Sequence, residues 1–273
     1  MIKLNPRNPG EVFACLGLFE IAELSDTGYA GFKEEKGEVW FELRSNLSIP
    51  DLLQYIKNAQ IEEVPQEEFQ GDAKLEFEKG EWPRWCPVRV KFPSRSCEVV
   101  LKWWLNPLFQ KEKKSVLKGW SGRETLVSLL RKLQAKIDVS RASDNFFYRV
   151  PSLSLGFDAC GTWNPSMTGY SYDTIKDSAL DRRGREERNP HVSPLCELLS
   201  FIALRSFRPK EIKEGGKEEI EYYLWKASLP HDVARLALIG IVDRRYLLSG
   251  WRAEVITRGK SEGYSSLSFG NPI

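Results

Sequence analysis

Lys102-Trp103-Trp104, Lys111, Lys113, Lys114, Lys118, Trp120 and Arg123 crowd into one short stretch of the chain. Cations interleaved with aromatic rings suit polyanion binding, because lysine and arginine meet phosphates while flat rings stack on bases. From Leu101 to Arg149 eleven basic residues stand against four acids, a net of +7, although the whole chain carries only +2. The compensating acid lies in Lys33–Glu81, where thirteen acids face six bases, a net of −7. Charge polarised in this way points to a polyanion-binding face more than to a uniformly basic tail. A second cluster, Arg182, Arg183, Arg185 and Arg188, lies in the run Asp181 to Pro190, which has no apolar anchor and so gives the guanidiniums little packing reason to be there. Glu186 and Glu187 partly neutralise it.

Each of these residues also has a plainer reading. Trp103 and Trp104 occupy neighbouring positions of an expected strand, so their rings should point to opposite faces and at least one belongs to the core. Lys111, Lys113 and Lys114 suit a solvated loop as well as a phosphate contact. In Gly119-Trp120-Ser121-Gly122-Arg123 the glycines allow close backbone approach, Trp120 can stack on a base or plug the core, and Arg123 can pair with phosphate. Among the motifs of catalysis, the chain has no G-x-x-x-x-G-K-[ST], G-x-G-x-x-G, H-E-x-x-H or G-x-S-x-G. His191 and His231 each follow a proline, where an exposed acid or base competes with a turn or capping histidine. Glu62-Glu63 and Glu67-Glu68 read as solvated surface. No catalytic residue, metal ligand or cofactor is therefore expected.

The elements that must position these groups read as an α+β fold, with helices mixed with antiparallel sheet. Asn8-Pro9-Gly10 leads into a helix over Glu11–Leu24; a hairpin follows between Tyr29 and Leu43, then a short helix from Ile49 through Ala59. Val88–Val90 and Val99–Trp104 read as strands, Gln110–Lys118 as a loop, and Gly122–Ile137 as a helix with Arg131, Lys132 and Lys136 facing away from its apolar stripe. Beyond Pro151, a Gly-, Trp- and Tyr-rich stretch spans Phe157–Tyr172, and an apolar helix covers Leu195–Phe207, stopped by Pro209. Ile220–Ala227, Leu236–Val242 and Glu254–Thr257 supply further strands or helical turns. The organisation is either two lobes, 1–150 and 151–273, or one domain of 273 residues. Five dispersed cysteines suit reduced thiols in a cytoplasm, and neither a signal core nor a span of about 20 apolar residues is present.

The run Asn5 to Leu18 (N-P-R-N-P-G-E-V-F-A-C-L-G-L), the Trp103-Trp104 pair, Lys118-Gly119-Trp120-Ser121-Gly122 and the region Gly156–Tyr172 resemble a family of CRISPR-associated proteins of type I-G systems, formerly I-U. The likeness is spread over most of the chain. It implies a large-subunit-like member of an RNA-guided effector; a relationship to ferredoxin-like RNA-binding subunits is the other possibility, and the mixed pattern suits both. The partners implied are other CRISPR effector subunits, crRNA, target DNA and a helicase-nuclease recruited to the complex, with no membrane.

The expectation is thus a non-enzymatic subunit of a Cascade-like surveillance complex, in which guide RNA reads sequence and this chain contacts crRNA or the DNA beside the recognition motif. A metal-independent endoribonuclease using His191 or His231, and a protein-binding scaffold, are the alternatives from other classes. Charge reversal at Arg182, Arg183 and Arg185 is expected to weaken duplex binding and to flatten the plot of log affinity against log salt, by roughly one unit of slope per phosphate contact removed. A gel-shift series across salt checks this; unchanged affinity at low salt would remove the cluster from any interface.

Overall fold

The computed structural model describes residues 1–25, 27–68, 86–93, 97–105, 115, 117, 125–159, 191–214, 216–258 and 264–273. The chain opens with strand β1 (Ile2–Leu4) and helix α1 (Pro9–Ser25). Asn8 starts that helix: its Oδ1 accepts from the Gly10 amide at 3.1 Å, and Pro9 fills a first-turn position where a missing N–H loses no helical bond. Strands β2 (Tyr29–Glu35) and β3 (Glu38–Arg44) form the expected hairpin, closed by Lys36-Gly37 at φ 53° and 78°, the left-handed pair of a type I′ turn. Helix α2 (Ile49–Asn58) begins at a capping box in which Ser48 accepts from the Asp51 amide while the Asp51 carboxylate accepts from the Ser48 amide.

Strands β4 (Gln60–Glu63), β5 (Val88–Lys91) and β6 (Glu98–Leu101) make an antiparallel sheet in the order β4-β5-β6. Helices α3 (Leu126–Ala135) and α4 (Val139–Asp144) follow, then β7 (Val150–Pro151), which pairs with β8 (His191–Val192). Helix α3 starts where Thr125 Oγ1 accepts from the Ser128 amide, later than the expected Gly122. Helix α5 (Pro194–Ala203), capped by Ser193, leads to β9 (Lys210–Glu214), β10 (Lys217–Trp225), β11 (Leu229–Pro230) and helix α6 (His231–Leu238). The chain closes with β12 (Leu247–Arg258), β13 (Tyr264–Leu267) and β14 (Asn271–Pro272). A four-stranded antiparallel sheet runs β1-β3-β2-β11; a second runs β13-β12-β10-β9, with β14 also on β12. The fold is α+β.

Helix α1 is the axis of this arrangement. Every residue from Pro9 to Ala22 is buried, so the helix has no solvated face, and the apolar spacing read in its sequence is one part of an all-round apolar surface. The four-stranded sheet contributes Ile2, Leu4, Ala30, Phe32, Val39 and Phe41 to the core, and Trp225 of β10 bonds the Ala30 carbonyl at 2.9 Å. A single cluster of buried side chains runs from Ile2 to Leu267.

The tryptophan pair departs from expectation. Strand β6 ends at Leu101, and the Leu105 amide bonds the Lys102 carbonyl at 3.0 Å, so Trp103 and Trp104 lie in a turn rather than on alternate faces of a strand. Both rings are buried, edge-to-face with each other at 5.5 Å, and both pack against Phe201 of α5.

Helices α1 and α5 touch at backbone level. A Cβ on Gly17 would lie 2.2 Å from the Leu199 carbonyl oxygen, and the Ser200 hydroxyl donates to the Gly10 carbonyl at 3.0 Å. Gly17→Ala is therefore expected to destabilise the protein by about 1–3 kcal/mol through overpacking, even though alanine is the better helix former. Urea denaturation tests this, and a midpoint equal to or above the parent's would contradict so close a contact.

Candidate functional site

Of the residues read as nucleic-acid contacts, Lys102 is described: it is exposed, in the turn that buries the tryptophan pair. Lys111, Lys113, Lys114, Lys118, Trp120, Arg123, Arg182, Arg183, Arg185 and Arg188 lie outside the described residues. Three other cations of the basic segment are engaged within the fold. Arg131 donates to the Ile61 carbonyl at 2.7 and 3.0 Å, Arg141 stacks over the Tyr148 ring at 5.0 Å, and Arg149 joins a buried acidic network.

That network sits where the N-terminus of α1 meets the loop Ser152–Ala159. Arg149 Nη2 donates to Glu11 Oε1 at 2.8 Å, and Arg149 Nε donates to Asp158 Oδ2 at 3.0 Å. Asn8 donates to Asp158 at 2.9 Å and to Glu11 at 3.2 Å, and the Asn5 amide donates to Glu11 Oε2 at 2.7 Å. One cation thus bridges two buried carboxylates, with neutral donors filling further lone pairs, which is the condition under which buried charge is tolerated.

Glu197 of α5 holds the other side of the loop. Its Oε1 accepts from the Ser154 hydroxyl at 2.9 Å and the Asp158 amide at 3.1 Å, while Oε2 accepts from the amides of Leu155 at 2.7 Å and Phe157 at 3.3 Å. Burial, followed by the nearby Asp158 carboxylate, pushes the Glu197 carboxyl up to about 7 despite these four donors. Gly10 closes the junction, since a Cβ there would meet the Phe157 carbonyl oxygen at 2.5 Å.

A second buried cluster occupies the far end of α1. Glu20 pairs with Arg205, accepts from the Ser206 hydroxyl at 3.1 Å, and lies 2.7 Å from His231 Nε2. Burial pushes the Glu20 carboxyl up, but hydrogen bonds from His231 and Arg205 outweigh it and hold the group below its ordinary value. An ionised Glu20 can only accept, so the proton sits on Nε2 of His231, whose ring is edge-on to Phe19 and Phe207. His231 is therefore a buried pairing residue at the start of α6 rather than an exposed acid or base. His191 lies half-buried in β8, opposite Pro151.

Beside the Glu11–Arg149 pair lies a half-open groove of about 780 Å³. It is lined by strand β1, the start of α2, the Ala142–Phe147 segment, Glu11 and Arg149, and the half-buried side chains of Trp40 and Phe146. That volume falls within the roughly 300–1,000 Å³ of small-molecule sites. Among the described residues no group of three His, Cys, Asp or Glu side chains is placed to hold a metal ion. None of the described helices is long and apolar enough to cross a membrane.

No protein-family model, curated protein or solved structure matches this chain.

Neither the buried network nor the groove was foreseen. The available signal was Glu11 and Glu20, acids set among the apolar residues of the helical run Glu11–Ala22, each of which must find a partner. Glu197 provides the test of the network. Because folding raises its pKa, its contribution is fully present below the ordinary carboxylate range near pH 4.3 and is lost as pH rises towards about 7. Between about pH 4.5 and pH 8 the native protein should lose on the order of 3 kcal/mol relative to Glu197→Gln, whose amide does not titrate. Denaturation of both proteins across that range measures the difference; a pH-independent gap would show that Glu197 is not the titrating group.

Proposed function

We propose that this chain is a non-enzymatic subunit of a type I CRISPR RNA-guided surveillance complex, in contact with crRNA or with target DNA beside the recognition motif. The observation that carries the reading is where the resembling residues fall. Within Asn5–Leu18, Asn8 and Glu11 build the buried network, Gly10 meets the Phe157 carbonyl, and Gly17 meets the Leu199 carbonyl. Trp103 and Trp104, which also carry the likeness, pack on the same helix α5. The described part of the resemblance thus falls on residues buried in the fold, while Lys118–Gly122 and residues 160–172 lie outside the described residues. Exposed Lys102 and the two basic clusters supply the attraction for phosphate.

In this reading the guide supplies sequence recognition and the protein supplies backbone contacts, with other effector subunits as neighbours and a helicase-nuclease recruited afterwards. His231, committed to Glu20, gives no support to an endoribonuclease centred on that residue. Co-purification with the products of adjacent genes, followed by sequencing of bound nucleic acid, tests the proposal. Uniform repeat-derived RNA in a stable assembly is the expected result. A nucleic-acid-free monomer, or discrete RNA cleavage lost on replacing His191, would overturn it.

A further inference from the structure

The groove beside β1 has a lining unlike that of a phosphate site. Its two cations are already matched: Lys3 pairs with Glu38, and Arg149 is held between Glu11 and Asp158. Asp144 adds a further acid, so the charged side chains of the lining, Lys3 and Arg149 against Glu11 and Asp144, sum to zero. What it offers is apolar and flat. Trp40, beside Lys3 in the register of β1 and β3, and Phe146 are half-buried and line the groove together with Ile2, Leu4 and Leu53. Phe146 is braced edge-on by Phe147 at 4.9 Å and 86°, and Phe147 is itself buried, so the ring is positioned before any ligand arrives. Asn5, Ser143 and Asn145 bring short polar groups to the same lining, suited to the edge of a heterocycle.

We infer that this groove takes an unpaired nucleobase from single-stranded RNA or DNA, stacked on Trp40 or Phe146. The inference rests on the proposed function and deepens it by separating two tasks. The lysine and arginine clusters draw in the backbone, and the groove, whose charged side chains balance, holds a base that has left its stack. Two physical consequences follow. Stacking on an aromatic platform tolerates any base, since each has a π-face. It also releases no counterions, so its contribution should not vary steeply with salt, unlike that of the basic clusters.

The test uses the full chain and a single-stranded oligonucleotide carrying 2-aminopurine, whose fluorescence is quenched on stacking. For the parent protein, binding should quench the probe. For Trp40→Ala with Phe146→Ala, quenching should disappear and affinity should fall about tenfold, the order expected for one base–aromatic stack, with the slope of log affinity against log salt unchanged. Trp40→Tyr, which keeps a ring, should restore most of both, and it also guards against a misfolded double variant. Oligonucleotide binding with affinity and quenching unaffected by the double variant would overturn this inference while leaving the proposed function standing. Loss of a neighbouring subunit from the co-purified assembly, with nucleic-acid affinity intact, would make the groove a protein-docking site instead. No oligonucleotide binding by the parent at low salt would remove both readings together.

Discussion

Helix α1 is buried along nearly its whole length, yet two of its acids, Glu11 and Glu20, are buried with it, and satisfying them organises the rest of the chain. Glu11 and Glu20 are nine residues apart, which at 3.6 residues per turn puts them about 180° apart around the helix. Each must find its partners on a different side. Glu11 is answered by Arg149 and Asn8, Glu20 by Arg205, Ser206 and His231, and the more distant of these partners lie 138 to 211 positions along the chain. Breaking such a buried pair by removing one partner costs about 3–5 kcal/mol, because the orphaned charge stays desolvated. Register and orientation of α1 are thereby set by electrostatics as well as by apolar packing.

The pinned helix in turn shapes the groove. Glu11 holds the Asn5 amide, which fixes how β1 leaves the four-stranded sheet, and it holds Arg149, which follows the Ala142–Phe147 segment of the lining. Asp158, bridged to the same guanidinium, is tied to α5 through the Ser193 amide at 2.8 Å and through Glu197. Glu11, Arg149 and the Asn5 amide, all in the groove's lining, therefore belong to one hydrogen-bonded network that reaches α5. The buried cysteines on these helices are inert partners in that packing, since burial pushes the thiols of Cys15 and Cys196 well above their ordinary range and leaves them protonated.

Elements whose start and stop signals are local were legible in the sequence. Gly37 marked the hairpin, Ile49-Pro50-Asp51 started α2, and Pro194 opened α5, because each signal acts within four residues of itself. Trp103 and Trp104 were misplaced because their environment is tertiary: the chain turns after Leu101 to deliver both rings to Phe201, about a hundred residues away in sequence. His231 was hidden for the same reason. A proline followed by histidine reads as an exposed turn until Glu20, 211 residues earlier, is brought within 2.7 Å of its ring. The groove had no sequence signal at all, since its lining comes from β1, α1, β3, α2, the end of α4 and the residues after it.

Charge counted along a sequence overstates what a partner can meet. Arg131, Arg141 and Arg149 contribute to the basic balance of Leu101–Arg149, yet one caps a carbonyl, one covers a tyrosine ring and one neutralises two buried acids. Arginine does this work readily because its planar fork satisfies several acceptors at once and remains charged when partly desolvated. The balance counted over Leu101–Arg149 therefore includes at least three arginines whose guanidiniums are occupied inside the fold. Net charge and interface are different quantities here, and the difference between them is the set of cations the core has already claimed.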